Sequence, residues 1–439
     1  MSSISNRRAF LKTGAAAGAG FMIVKSGILA AGNSPNGKLN IAIIGYGGRG
    51  KGNAKAVESE NIVAVCDVNE EHLAAAAKKF PNAKTYIDWR PCLEQKDIDA
   101  VVCSTIDHTH AFINIWAMNR GKHVYCEKPL ANSVQEARLV RETYLKNKGK
   151  LATQMGVQRH VIANMARVSE LIHNGAIGVP SEVRLWCGRK PEGGNYLPEA
   201  GPIPKGLHWD LWIGPSPMHP YNSGYMGGCL AWNRFWDFGS GQIGDMGSHV
   251  MDIAWWALDL GIPTSCKCEG SEKSDDTVPT WITAEWDHPA NSWRPALKVY
   301  WYDADKKPGF PSKAFNRDGM SLGAIFKGDR GYLVCDFGNR YLMPTKGDMT
   351  HYKPPRPEEV IQLPSSHHAE WIEACKAGKP TRTDFDYSGT MIEHNLLALV
   401  AYRVGQKLEW DAKSLKASNC PAAQKYIEKT YRPGWVLNG

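Results

Sequence analysis

Short apolar runs alternate with amphipathic stretches over the first third of the chain. The runs LNIAIIG, NIVAVCD, DAVVCST and KHVYCE are almost continuously apolar, which is typical of strands buried on both faces of a parallel sheet. The stretches between them, such as EEHLAAAAKKF and SVQEARLVRETYLKNKG, show helical periodicity. Strands that alternate with helices at this spacing predict a doubly wound parallel sheet, the Rossmann type of α/β domain, over residues 33–155.

The pattern changes after residue 155. An amphipathic helix predicted over 160–174 leads to SEVRLWCG, then to a long stretch rich in Trp, Gly and Pro, and to a helix near 247–260. The strand-like segments TWITAEW, LKVYWY and GYLVCDF follow, and after them two helical segments, HHAEWIEACKAG and MIEHNLLALVAYRVG. Grouped strands flanked by helices predict an α+β domain with an open antiparallel sheet over residues 156–439. A chain of 439 residues is long enough for two such domains.

The first thirty residues have a different composition. SNRRAFLK is followed by the weakly apolar TGAAAGAGFMIV and by LAAG, which together resemble a twin-arginine export signal. We therefore assign residues 1–32 to a signal and linker, with cleavage near Ala30 or Ala31, and expect export to the periplasm. No cysteine lies directly after the predicted cleavage position, so we expect no lipid anchor. No apolar run is long enough to span a membrane. The alternative is an ordinary basic N-terminal helix.

Charge and cysteine usage exclude some partners. The predicted signal contains four basic residues and no acid, so its removal lowers the formal net charge from +8 to +4. There is no basic run with interleaved aromatics, so we expect no nucleic acid partner. The 11 cysteines form no C-x-x-C pair, and Cys66, Cys103 and Cys126 fall in apolar runs. They are predicted to be reduced core residues, and no cluster with metal-ligand spacing predicts a metal site.

The segment IAIIGYGGRGKG indicates a dinucleotide site. Gly45, Gly47 and Gly50 form a G-x-G-x-x-G pattern between a predicted strand and a helix, where the helix N-terminus would bind a pyrophosphate. Asp67 ends the next strand, at the position where a carboxylate accepts hydrogen bonds from a ribose 2′-OH and repels a 2′-phosphate. We therefore expect NAD, with NADP less favoured although Arg49 would suit it. The alternative is that Asp67 is a solvated acid.

Three motifs together resemble one enzyme family. STIDHTH follows the fourth parallel strand, GKHVYCEKPLA contains the fifth, and GSGQIGDMGSHVMD lies in the second domain. They are similar to motifs of the Gfo/Idh/MocA oxidoreductases, which include glucose–fructose oxidoreductase and inositol dehydrogenase, and the resemblance covers the whole mature chain. It implies that Lys128 of E-K-P and Asp245 and His249 of D-x-x-x-H meet beside the nicotinamide as catalytic residues.

Elementary chemistry agrees with these roles. Oxidation of an alcohol requires a base for the hydroxyl proton and a positive donor for the developing oxyanion. Asp245 and His249 are four residues apart, so in a helix they share one face. The alternatives are that Lys128 is a solvated strand-end lysine and that His249 is a satisfied core histidine.

Further side chains are expected to contact the cofactor. Besides the glycines and Asp67, the expected contacts are Tyr46, Thr105, His108, His110, Glu127, Lys128 and Gln158. For His108 and His110 the alternative is that they cap the following helix. Arg159 and His160 either reach the same site or form surface pairs.

Aromatic residues suggest the class of substrate. Between residues 186 and 256 lie seven of the 16 tryptophans, and flat aromatic faces suit sugar rings. We expect about half of these side chains to pack in the core, Trp255 and Trp256 first. The leading hypothesis is an exported NAD(P)-dependent oxidoreductase that transfers hydride between a sugar, polyol or glycoside hydroxyl and a tightly bound nicotinamide. The alternatives are a redox-neutral NAD-dependent glycoside hydrolase or lyase, and a sensor without chemistry. A homo-oligomer, dimer or tetramer, is also expected.

Overall fold

The structure is a computed structural model that describes residues 37–311, 319–345 and 347–438. The predicted export signal lies outside the described residues, so it stays a prediction. Across those three ranges, no helix has the length and apolar content needed to cross a membrane.

The strands, in chain order, are β1 (Asn40–Ile44), β2 (Asn61–Cys66), β3 (Lys84–Tyr86), β4 (Ala100–Cys103), β5 (His123–Glu127), β6 (Thr153–Gly156), β7 (Pro180–Cys187), β8 (Ser265–Gly270), β9 (Ile282–His288), β10 (Leu297–Asp303), β11 (Leu322–Gly328), β12 (Gly331–Cys335), β13 (Arg340–Pro344), β14 (Leu408–Asp411) and β15 (Lys416–Ala417).

The α-helices, in chain order, are α1 (Arg49–Ala56), α2 (Glu70–Lys79), α3 (Trp89–Leu93), α4 (Asp107–Asn119), α5 (Val134–Lys146), α6 (Ala163–His173), α7 (Trp209–Ile213), α8 (Cys229–Trp232), α9 (Gly241–Leu258), α10 (His367–Ala377), α11 (Phe385–Val404) and α12 (Gln424–Ile427). Short 3₁₀ helices cover Gln158–Val161, Ser223–Met226, Pro357–Glu359 and Pro421–Ala423.

Strands β1 to β6 form a parallel sheet in the order β3-β2-β1-β4-β5-β6. This order confirms the predicted doubly wound fold. Strands β2 and β3 are added on one side of β1, and β4 to β6 on the other side. Ligands of such sheets bind at the carboxyl ends of the strands where this change of side occurs, here between β1 and β4. The glycine-rich loop after β1 and the STIDHTH segment after β4 therefore lie side by side.

Helix α10 covers part of this first sheet, although it lies far along the chain. Its Trp371 and Cys375 are buried in one cluster with Ile41, Val102 and Tyr125 of the parallel strands. The other face of the sheet packs against α4 and α5. The range 33–155 predicted for the Rossmann domain is therefore completed by a helix from the second half of the chain.

The second sheet has nine strands in the order β13-β12-β11-β7-β10-β9-β8-β14-β15. The prediction of an antiparallel sheet is wrong in one respect, because β7 and β10 are parallel neighbours while the other pairs are antiparallel. Strand β7 enters the sheet from α6 and lies between β10 and β11, which are themselves antiparallel to each other. It can be antiparallel to only one of them, so the sheet is mixed.

Two long helices cover this sheet and lie next to the first domain. Helix α9 packs on α6 and β7, and α11 packs on α9, β8 and α5. Every residue of α11 from Met391 to Tyr402 is buried, including the polar Glu393, His394 and Asn395. It begins at Phe385, where the Asp384 carboxylate accepts hydrogen bonds from the N–H groups of Asp386 and Tyr387. The apolar pattern of the sequence alone predicts that this helix begins only near Met391.

Candidate active site at the carboxyl ends of the parallel strands

Lys128 lies directly after β5 and points at the second domain. Its ammonium group forms an ion pair with the Asp245 carboxylate on α9, and the two side chains are only 16% and 4% exposed. The Lys128–Pro129 peptide bond is cis, and the Pro129 carbonyl oxygen lies 2.7 Å from Nδ1 of His110. The ion pair holds the Lys128 side chain between β5 and α9, so its ammonium group does not move freely in solvent.

Helix α9 also carries His249, one turn after Asp245. A Cβ atom at Gly244 would lie 1.8 Å from Oγ and 2.9 Å from Cβ of Ser240, so a larger residue there would require Ser240 to shift. Nδ1 of His249 is buried and has no hydrogen-bond partner among the described residues, and the same is true of Oδ2 of Asp245. Two polar atoms beside Lys128 thus remain available to a bound molecule.

Burial and neighbouring charges set the protonation of these groups. Burial lowers the pKa of Lys128, but the carboxylates of Asp245 and Asp107 outweigh it and raise the pKa above its ordinary value. Burial, together with the positive charge of Lys128, lowers the pKa of His249 to about 4. At neutral pH the site therefore presents a neutral imidazole beside a fixed cation.

Two charged residues at this site were not predicted. Asp107 begins α4, accepts a hydrogen bond of 3.3 Å from Trp232 Nε1, and has its pKa raised by burial. Arg189 follows β7, and its Nη1 lies 3.7 Å from Oδ2 of Asp245. Asp107 lies inside STIDHTH, after a parallel strand, and this position alone predicts that its side chain lies near the site. No sequence pattern marks Arg189, because its position depends on where β7 lies in the sheet.

The glycine-rich loop fits a dinucleotide. Gly45 has φ of +85°, and a Cβ atom there would lie 2.6 Å from the Ser104 carbonyl oxygen. A Cβ atom at Gly50 would lie 2.0 Å from the Gly45 carbonyl oxygen, so only glycine allows this turn. No side chain caps the N-terminus of α1, and its first turn contains no acid. Its N–H groups are suited to the pyrophosphate of NAD.

Asp67 lies beside that loop, as predicted from its position at the end of β2. Its Oδ2 accepts hydrogen bonds from the N–H groups of Tyr46 (2.7 Å) and Gly47 (3.2 Å). Nδ1 of His72, on α2, lies 3.2 Å from Oδ1 of Asp67, and this neighbouring carboxylate raises the pKa of the imidazole. Asp67 is thus a bonded carboxylate at the loop and not a solvated acid.

Glu127 joins three parts of the first domain. Its Oε1 accepts hydrogen bonds from Asn53 (2.9 Å), Gln158 (2.9 Å) and Arg49 (3.2 Å). Glu127 and Gln158, both expected to contact the cofactor, therefore bind each other in this structure. Asn53 was not predicted, and it also contacts His368 of α10, with 3.1 Å between its Oδ1 and Nε2 of the ring.

The histidines of STIDHTH have separate partners. Nε2 of His108 donates to the Ile213 carbonyl oxygen at 3.0 Å, and burial lowers the pKa of this histidine to about 3. The ring of His110 lies between two carbonyl oxygens, with Nδ1 near Pro129 and Nε2 3.1 Å from Thr105. Helix α4 has no side-chain cap at its N-terminus, so the capping alternative is wrong for both histidines.

Arg159 and His160, after β6, lie in different environments. His160 is buried, lies 3.0 Å from the Asp252 carboxylate and stacks on Trp256. Arg159 is exposed and lies over the ring of Phe337. His160 therefore supports the packing of α9.

Most of the tryptophans considered for substrate binding are packed inside the protein. Trp186, Trp209, Trp212, Trp236 and Trp255 are buried, and Trp232 and Trp256 are partly buried. The rings of Trp209 and Trp212 stack with their centroids 4.5 Å apart, inside a cluster that includes Phe235 and Phe238. Trp232 packs against this cluster and donates a hydrogen bond to Asp107, beside the charged groups.

Comparison with known proteins identifies the family. Residues 39–155 match the GFO_IDH_MocA model described as an oxidoreductase family with an NAD-binding Rossmann fold. Residues 163–290 match the companion model, the C-terminal alpha/beta domain of that family. The chain belongs to the Gfo/Idh/MocA oxidoreductase family. Its first domain is accordingly an NAD-binding Rossmann domain, in agreement with the predicted cofactor.

Two curated relatives of this family act on cyclic polyols or sugars by name. The chain is 33% identical to an inositol 2-dehydrogenase of Salmonella typhimurium over 147 residues, 32% of the chain and 44% of that relative. It is 30% identical to a levoglucosan dehydrogenase of Pseudarthrobacter phenanthrenivorans over 229 residues, 49% of the chain and 50% of that relative. The matches thus span half or less of these relatives.

A solved structure supports the fold over most of the chain. The WlbA dehydrogenase from Chromobacterium violaceum, in complex with NADH and UDP-GlcNAcA, superimposes with a TM-score of 0.62 and 16% identity. The superposition covers 89% of this chain and 99% of that one. At this identity the likeness establishes the two-domain fold.

Proposed function

We propose that the protein is an exported NAD-dependent oxidoreductase that oxidises a hydroxyl group of a sugar, polyol or glycoside. The observation that carries the proposal is the buried Lys128–Asp245 ion pair with a neutral His249 one helical turn away, at the carboxyl ends of the NAD-binding strands. The named activities of the inositol and levoglucosan dehydrogenases support this class of substrate.

Each residue has one task in this proposal. His249 accepts the hydroxyl proton, because its ring is neutral at pH 7 and its Nδ1 is unpaired. Lys128 donates a hydrogen bond to the substrate oxygen as negative charge develops there, and Asp245 holds the lysine in place. The glycine-rich loop would hold NAD, and the chemistry NAD would supply there is acceptance of a hydride from the carbon that bears the hydroxyl.

The proposed location constrains the reaction cycle. The RRAFLK sequence supports export of the folded protein, and an exported protein has no nucleotide pool with which to exchange. We therefore propose that NAD leaves the cytoplasm bound to the protein, and that a second carbonyl substrate takes the hydride back. The turn at Gly45 and Gly50 and the uncapped N-terminus of α1 support binding of the dinucleotide at this loop.

The experiment is to analyse the nucleotide that copurifies. Mature protein is purified without added nucleotide and heat-denatured, and the supernatant is analysed for NAD, NADH and NADP. We expect NAD or NADH, with little NADP because the bonded Asp67 carboxylate would repel a 2′-phosphate. The purified protein is then mixed with inositols, anhydrosugars, aldoses and glycosides, and reduction of bound NAD is followed by absorbance. No nucleotide at purification and no binding on titration would contradict the proposal.

A further inference from the structure

Two thiols and an imidazole meet beneath the candidate site. Cys103 of β4 and Cys126 of β5 are paired in the parallel register, so their side chains point to the same face of the sheet. His110 of α4 packs on that face. The two Sγ atoms and a ring nitrogen all lie within 4.8 Å of one another, and the three side chains are 0%, 0% and 1% exposed.

Both thiols have weak partners, Thr105 Oγ1 at 3.5 Å from Cys103 and the Glu127 carbonyl at 3.2 Å from Cys126, but the imidazole and a neighbouring amide are less well satisfied. A neutral imidazole has one N–H, yet both nitrogens of His110 face carbonyl oxygens, those of Pro129 and Thr105. One nitrogen of a neutral ring therefore faces a carbonyl without a proton between them. Asn114 lies one helical turn after His110 and is fully buried, and in the described part of the chain its amide meets only the Cys126 thiol, a weak hydrogen-bond partner. Such a buried amide is unusual without a ligand.

We propose that Cys103, Cys126 and His110 bind a structural zinc ion, with the amide oxygen of Asn114 as the fourth ligand. Two thiolates and an imidazole are the ligands that zinc prefers, in tetrahedral geometry. Zn–S bonds of about 2.3 Å and Zn–N bonds of about 2.0 Å place tetrahedral ligand atoms about 3.5–3.8 Å apart, a spacing within the observed limit of 4.8 Å. Mg²⁺ and Ca²⁺ require oxygen ligands and do not suit this set.

The contacts of His110 match those of a zinc ligand. A histidine that binds metal through one nitrogen donates its other N–H to a carbonyl or carboxylate oxygen. The 2.7 Å contact of Nδ1 with the Pro129 carbonyl is such a bond, which leaves Nε2, with its longer contact to Thr105, for the metal. Binding releases the two thiol protons to solvent, so the Zn²⁺ with its two thiolates carries no net charge.

The position of the zinc suggests what it would do. It would join the ends of β4 and β5, the two strands that lead directly to Thr105 and Lys128. Through His110 it would also hold the Pro129 carbonyl, next to the lysine of the ion pair. Zinc here would stabilise the base of the cofactor site without touching the substrate.

Metal content tests the proposal. Tag-free protein is produced with zinc in the medium, dialysed, and analysed by mass spectrometry for zinc, copper, iron and nickel. We expect about one zinc per chain, and its loss in the double variant Cys103→Ser/Cys126→Ser. The matched control is Cys266→Ser/Cys268→Ser, which removes two other buried thiols, from β8, and should retain the zinc. Metal-free wild type and control should melt at a higher temperature after zinc is added, by several degrees, and the double variant should not.

A second measurement does not depend on folding of the variants. Wild-type protein stripped by a chelator is loaded with Co²⁺, which gives a thiolate-to-cobalt charge-transfer band when cysteines are ligands. We expect that band at one equivalent and its displacement by zinc. No metal after purification and no band on titration would overturn the proposal, leaving a packed dithiol. One copper ion per chain in place of zinc, or zinc retained by Cys103→Ser/Cys126→Ser, would overturn it as well.

Discussion

Lys128, at the end of β5, and Asp245, on α9, form an ion pair that joins the NAD-binding sheet to the second domain. The pair is buried, so removing one partner leaves the other with only its more distant counter-charge, Arg189 for Asp245 or Asp107 for Lys128. Because His249 lies one turn after Asp245 on α9, the same contact keeps His249 beside the lysine. The chemistry proposed for the site therefore depends on this contact.

The first prediction concerns Lys128→Met. The change keeps the length of the side chain and removes its charge and its donor, so turnover should fall by roughly 10²- to 10⁴-fold while bound nucleotide is retained. The measurement is steady-state turnover together with the nucleotide released on denaturation. Lys148→Met is the matched control, since that lysine lies just after α5, is half-exposed, and its pair with Asp386 is far less buried than the Lys128–Asp245 pair. Equal turnover in the two variants would count against the proposed site.

The pH dependence of oxidation gives the second prediction. Burial lowers the pKa of His249 to about 4, so the neutral, proton-accepting form predominates above that pH and is lost as the pH falls through it. We expect kcat/KM for oxidation to stay nearly level from neutral pH down to about 5 and to fall around pH 4. His249→Asn, which cannot accept the proton, should be slow and should lack this transition. A fall centred near pH 6.5 in the wild type would contradict the lowered pKa of His249, and its persistence in His249→Asn would show that another group is the base.

The third prediction tests the packing of α5 against α11. Arg138 forms two hydrogen bonds with Glu393, of 2.8 and 2.7 Å, and the two side chains are 10% and 0% exposed. Arg138→Met leaves a buried carboxylate unpaired and should lower the free energy of unfolding by about 3–5 kcal/mol.

The control for this prediction lies one turn along the same helix. Arg141 pairs with Asp386, and these side chains are 26% and 29% exposed, so Arg141→Met should cost only about 0–1 kcal/mol. Denaturant unfolding of both variants measures the difference. Similar losses would mean that the Arg138–Glu393 pair is no more important than a surface pair.

The sequence alone predicts the parallel strands and the glycine-rich loop of the first domain, because local signals specify them. Apolar runs such as IAII and VVCS mark strands buried on both faces, and the loop that begins at Gly45 accepts only glycine at its closest contacts. The placement of Lys128, Asp245 and His249 near one another came from the family resemblance, since nothing local links β5 to a helix more than a hundred residues later.

Other features depend on contacts that the sequence does not record. Trp371 packs on the first sheet from the second half of the chain, and β7 is parallel to β10 because of where it enters the sheet. Cys103, His110 and Cys126 have no metal-ligand spacing, yet strand register and the direction of α4 bring them together. Such arrangements follow from tertiary packing, and residue spacing along the chain does not predict them.

The last prediction separates an oxidoreductase from a redox-neutral glycoside hydrolase. Both reactions would use Lys128, Asp245 and His249, so variants of these residues cannot distinguish them, but the fate of the hydride can. A hydrolase of this kind returns the hydride to the same sugar within one cycle and releases the aglycone. An oxidoreductase leaves a ketone or lactone and passes the hydride to another molecule.

Incubation with a panel of glycosides, with and without a second carbonyl sugar, should therefore give an oxidised product in catalytic amounts only when the acceptor or added NAD is present. Lys128→Met serves as the inactive control for both activities. Multiple turnovers of aglycone release with no acceptor would establish the hydrolase instead, because the bound NAD would then be regenerated by the substrate itself.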